Sequence, residues 1–80
     1  MASVRHDRRD QDGSVMIGKT GRVSGGIGPG RVGEVMISIR GGSEAFYAHP
    51  HSHGETIEIG ALVVVTDFQP PRTVYVDRLD

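Results

Sequence analysis

Across residues 18–76, apolar and polar side chains alternate over short stretches, and no segment carries the i, i+3, i+4 spacing of an amphipathic helix. The clearest case is 31–40, where Val35, Ile37 and Ile39 alternate with Met36, Ser38 and Arg40. That period of two predicts a half-buried strand with the Val35/Ile37/Ile39 side turned inward. Residues 43–49 read as a second such strand, with Phe46 and Ala48 on one face and Ala45 and Tyr47 on the other. In 73–77, Val74 and Val76 alternate against Tyr75. Residues 61–68 differ. Val63, Val64 and Val65 stand in sequence, which predicts a strand covered on both faces for part of its length. A first strand over 20–24, reaching back toward Met16, completes a set of five. The predicted core is Val35, Ile37, Phe46, Val63, Val65, Val74 and Val76.

Glycine and proline separate these stretches. Gly41-Gly42 predicts a tight hairpin turn, and Gln69-Pro70-Pro71-Arg72 a rigid one that cannot join a ladder. Gly25-Gly26-Ile27-Gly28-Pro29-Gly30 is too rich in glycine for a regular element. Gly33 inside the long strand predicts a bulge or a bend at a barrel corner. Residues 50–55 are a polar loop, and 56–60 a turn or single helical turn closed by Gly60. Five short strands with one longer connection, between the third and fourth, predict an all-β fold: a small five-stranded OB-fold-type barrel over residues 15–80. Residues 1–14 mix Arg5, Arg8 and Arg9 with Asp7, Asp10 and Asp12 without periodicity, and are expected to be a disordered polar tail.

Composition narrows the classes. Eighty residues make one domain, and a chain of that size buries only ~60% of its unfolded surface. A closed barrel suits it, because closure removes exposed sheet edges. Cysteine is absent, which excludes disulfides and thiolate zinc sites. The formal net charge of −1 provides no field to gather nucleic acid or an anionic membrane. No stretch approaches the ~18–20 apolar residues of a membrane helix, and Met1-Ala2-Ser3-Val4 runs into charges rather than a secretory leader. A cytoplasmic protein is expected, reaching a membrane only through a partner or a further segment.

Candidate chemistry is sparse. His49, His51 and His53 form an H-x-H-x-H group whose rings, on an extended backbone, would point the same way and converge on a metal. Pro50 and Gly54 place the group in a loop with no evident second layer of partners, so a dedicated metal site is not expected. The Gly25 to Gly30 run lacks the Lys-Ser/Thr that follows a phosphate-binding loop, and a strand follows it rather than a helix. No G-x-S-x-G elbow appears, and Glu55 and Glu58 have nothing to separate their pKa values. Enzymatic activity and a cofactor are therefore not expected. Nucleic-acid binding by an OB-type barrel needs a basic groove and stacking aromatics. The aromatics here are Phe46, Tyr47, Phe68 and Tyr75, at least two of them core candidates, and acidic residues balance Arg22, Arg31, Arg40 and Arg72.

Gly18-Lys19-Thr20-Gly21, Pro29-Gly30 and Gly33-x-Val35-x-Ile37 resemble the start of the NfeD-like C-terminal domain. Phe46-Tyr47-Ala48 is similar to its aromatic-x-Ala strand. Ile57-x-Ile59-Gly60-x-x-Val63-x-Val65 is similar to the lead into its fourth strand, and Val74-x-Val76 to its last. The resemblance spans about 16–77. It implies an OB-fold barrel without catalytic residues, commonly attached to membrane helices and associated with stomatin- or flotillin-like scaffold proteins. The resulting expectation is a non-enzymatic docking module for such a scaffold or for a second copy of itself. Arg31, Met36, Arg40 and Tyr47 are the candidate contacts, since Tyr, Met and Arg supply interface anchors. A single-stranded nucleic-acid binder is the alternative.

Overall fold

Five strands form in chain order in the computed structural model, which describes residues 15–80: β1 (Thr20–Gly25), β2 (Gly33–Ile39), β3 (Gly42–Pro50), β4 (Leu62–Gln69) and β5 (Thr73–Arg78). The expected tail over 1–14 lies outside the described residues. The sheet closes on itself in the order β1-β2-β3-β5-β4, with β4 returning to β1. All neighbours are antiparallel except β3 and β5, which run parallel through Tyr47↔Thr73, Ala48↔Val74, His49↔Tyr75 and Pro50↔Val76. This is the all-β, five-stranded barrel that the pattern predicts.

The barrel interior collects the alternating apolar positions. Val23, Val35, Ile37, Phe46, Ala48, Val63, Val65, Val74 and Val76 are all buried. Every member of the predicted core is among them. Burying each branched side chain removes enough apolar surface to stabilise by roughly 1.5–3 kcal/mol. Val64 is only half-buried while its two valine neighbours are sealed. β4 is therefore one-sided like the others, and its valine triplet does not mark a strand covered on both faces.

Four apolar residues outside the strands complete the core: Met16, Ile27, Ile57 and Ala61. Met16 sits in a turn, so the first strand does not reach back to it. Ile27 and Ile57, both fully buried, exchange two backbone hydrogen bonds of 2.9 Å in an isolated antiparallel bridge. This bridge ties the β1–β2 connection to the long β3–β4 connection. Gly33 makes room for it. A Cβ there would lie 2.8 Å from the Gly25 carbonyl oxygen and 3.0 Å from Ile27 Cα, and would collide with Ile27 Cγ1. The irregularity in register falls across from it, on β1 between Val23 and Gly25, rather than at Gly33 itself.

The β2–β3 hairpin turns through Arg40 and Gly41, since Ile39 pairs with Gly42. The turn pair is thus one residue earlier than Gly41-Gly42. Both turn residues have positive φ, 52° at Arg40 and 80° at Gly41, the mirror-image turn whose twist matches the flanking strands.

Candidate functional site

The four candidate contact residues occupy three separate places. Met36 on β2 and Tyr47 on β3 come together. Met36 pairs with Ala45 and Glu34 with Tyr47, so Met36 and Tyr47 are diagonal neighbours on the outer face of the sheet. Both are solvent-exposed, Tyr47 to 60%. Around them the surface is braced by polar contacts. Ser24 Oγ donates to Glu34 Oε1 at 2.8 Å. Arg72 Nη1 donates to the Ala45 carbonyl at 2.9 Å and reaches Glu44 Oε1 at 3.5 Å, while its guanidinium lies 5.5 Å from the Phe46 ring centre. A shallow depression of about 350 Å³ lies between Tyr47, Glu34 and Arg72. Arg40 is beyond the far end of β2, at the hairpin tip, and Arg31 precedes its start. A seven-residue strand of ~3.3 Å per residue keeps those two arginines apart.

Arg31 instead shares a groove with two of the histidines. Residues 28–32, His49 and Pro50 at the end of β3, His53-Gly54 and Tyr75 of β5 line a space of about 560 Å³. The His49 and Tyr75 rings are packed at 5.4 Å and 34°. Their contact follows from the parallel register that sets His49 against Tyr75. The Arg31 side chain folds back over the glycine backbone, its Nη2 3.5 Å from where a Gly26 Cβ would stand and its Nε 3.6 Å from that of Gly28. Among the described residues no carboxylate pairs with it.

His51 turns elsewhere. Its Nδ1 lies 3.2 Å from Thr66 Oγ1. The strand ends at Pro50 and the chain bends at 51–54, so the alternation that would align three rings stops after His49. Among the described residues, no group of three or more His, Asp or Glu is placed to hold a metal ion. The Thr66–His51 pair is a hydroxyl beside an imidazole, but Thr66 Oγ1 donates its proton to the Tyr75 carbonyl at 3.1 Å. With the hydroxyl proton so engaged, it is not aimed at the ring nitrogen. Arg78, hydrogen-bonded to Glu58, holds the Glu58 carboxyl below the usual carboxylate range, and Arg78 is raised in turn.

Sequence reasoning found Arg31, His49 and His53 separately but not the groove they share. The signal was present in the strand order: an OB-type barrel places its third strand beside its fifth, which brings His49 to Tyr75.

The fold and these surfaces define a small closed β-barrel with one exposed sheet face and one cationic groove. The chain belongs to the NfeD C-terminal domain family, whose model matches residues 20–77. Among solved structures it is similar to the C-terminal domain of stomatin operon partner protein 1510-C from Pyrococcus horikoshii. The two are 34% identical, covering 84% of this chain and 92% of that one, with a TM-score of 0.61. The soluble domain of the NfeD protein YuaF from Bacillus subtilis shares the fold, with a TM-score of 0.71 at 22% identity over 98% of this chain and 89% of that one. A search of curated proteins returned no match.

Proposed function

We propose that this domain is a non-enzymatic docking module whose anchor is the exposed Met36–Tyr47 pair on the outer face of β2 and β3. The observation that carries this reading is their juxtaposition on a rigid, closed sheet. A thioether and a phenol ring stand side by side in solvent, on strands whose other face is locked in the core. A fixed scaffold reduces the ordering cost of binding, and the thioether can adapt its shape to a partner. A stomatin- or flotillin-type scaffold protein is the favoured partner, and a second copy of this domain the next. The support is the name of the 34%-identical relative, a stomatin operon partner protein. No helix among the described residues is long and apolar enough to cross a membrane, so attachment to one would come through that partner or through a further segment of the protein.

The test is calorimetry of the domain against a purified stomatin-type protein, with sedimentation of the domain alone. Binding that weakens at least about tenfold in Met36→Ala/Tyr47→Ala is the expected result. Equal affinity of variant and parent, or a monomer that binds nothing, would sink the reading. Tight binding of an oligonucleotide with a steep salt dependence would replace it with the nucleic-acid alternative.

A further inference from the structure

The groove at the start of β2 has its own chemistry, and neither Met36 nor Tyr47 lines it. Its lining contains one fixed cation, Arg31, and two imidazoles, His49 and His53, and no carboxylate. The rest is mostly apolar: Pro29, Val32, Pro50 and the Tyr75 ring. Its volume of about 560 Å³ falls within the ~300–1,000 Å³ range of ligand sites. Arg31 is held against a glycine backbone that offers no side chain to compete with it, and among the described residues no acid neutralises it. Val32, beside it, is 56% exposed.

We propose that this groove binds an acidic peptide segment of a partner protein, in which a carboxylate-bearing residue neighbours a branched apolar one. The carboxylate meets the Arg31 guanidinium, with N–H groups of His49 and His53 as further donors. The apolar neighbour lies against Val32, Pro29 and Pro50. Two features favour a peptide over a nucleotide. The apolar wall is made of proline and valine, which offer no aromatic face on which a base could stack. The aromatic present, Tyr75, is already packed against His49.

The experiment is an NMR titration of the full chain with a capped octapeptide alternating Leu and Glu. Counterparts carrying Gln or Lys in place of Glu, inorganic phosphate and oligothymidylate are run in parallel. The Leu-Glu peptide is expected to shift the amides of Gly28, Gly30, Val32, His49 and Gly54 saturably. The Gln peptide, and the Leu-Glu peptide on Arg31→Gln, should bind about tenfold more weakly, as the loss of one charged hydrogen-bonding partner dictates. Arg40→Gln removes the same charge at the far end of the hairpin and should leave the titration unchanged. Three results would overturn the proposal: no saturable shift at about 1 mM peptide, equal binding of the Lys peptide, or phosphate or oligothymidylate competing at the peptide's own concentration. Equal losses in Arg31→Gln and Arg40→Gln would also overturn it, by showing attraction to net charge rather than to a site.

Discussion

The β2–β3 hairpin and the pair of connections that meet at Ile27 and Ile57 are built by opposite means. The hairpin is local. Seven consecutive pairs from Gly33↔Ala48 to Ile39↔Gly42 follow from a two-residue turn, and every second residue faces the core. The Ile27–Ile57 bridge joins segments distant in sequence, has no periodicity, and exists only because Gly33 leaves space and the barrel has already brought the two connections together. The hairpin carries the exposed Met36 and Tyr47, the proposed docking pair, on its outer face. The bridge fixes the base of the loop from which Arg31 projects. One proposed surface thus rests on a local hairpin, and the other on a loop tied down by tertiary packing against the β3–β5 pairing.

That contrast gives an ordered set of outcomes. Ile57→Ala should have the largest effect, a loss of about 3–4 kcal/mol in urea unfolding, because it empties a sealed position. Hydrogen exchange should then show the amides of 26–32 opening more than those of the hairpin; equal opening everywhere would erase the distinction. Gly33→Ala should follow at about 2–3 kcal/mol, since the new methyl meets backbone that cannot move freely. In the hairpin the effects shrink. Gly41→Ala should cost about 1 kcal/mol because an L side chain is strained at a φ of 80°. Arg40→Asn should stabilise by about 0.5 kcal/mol, Asn being the residue best suited to that left-handed turn position. Both are read from thermal unfolding.

The smallest effect concerns the surface pair of exposed Glu58 and half-buried Arg78. The hydrogen bond from Arg78 depresses the Glu58 carboxyl. Its contribution is therefore present above the ordinary Glu value of ~4.3 and lost as pH falls through the depressed one. An NMR titration of Glu58 should show its midpoint rising in Arg78→Gln while the melting temperature at neutral pH hardly moves. An unmoved midpoint would remove Arg78 as the cause.

Three of the strands were legible from their own alternation: Val35 and Ile37, Phe46 and Ala48, Val74 and Val76 recur at the period of a pleated sheet. Ile27 was not legible. A lone isoleucine between glycines has no period to place it, and its burial depends on Ile57 thirty residues later. Val63-Val64-Val65 misled for the opposite reason, since β-branched residues suit both faces of a strand whether or not both are covered. The candidate contacts fared likewise. Met36 and Tyr47 share a face because strand pairing is local, whereas the meeting of Arg31 with His49 and His53 required barrel closure. His51 left the group once the strand ended at Pro50.

Closure also has a temporal side. Two seams seal the cylinder, β1 against β4 and β3 against β5, and both join strands remote along the chain. Neither seam can form until the intervening chain has been drawn in, so folding should run over ~milliseconds to seconds rather than microseconds. The hairpin is the natural early nucleus. The cationic groove, which straddles the β3–β5 seam, would be among the last features to exist on the way to the native state.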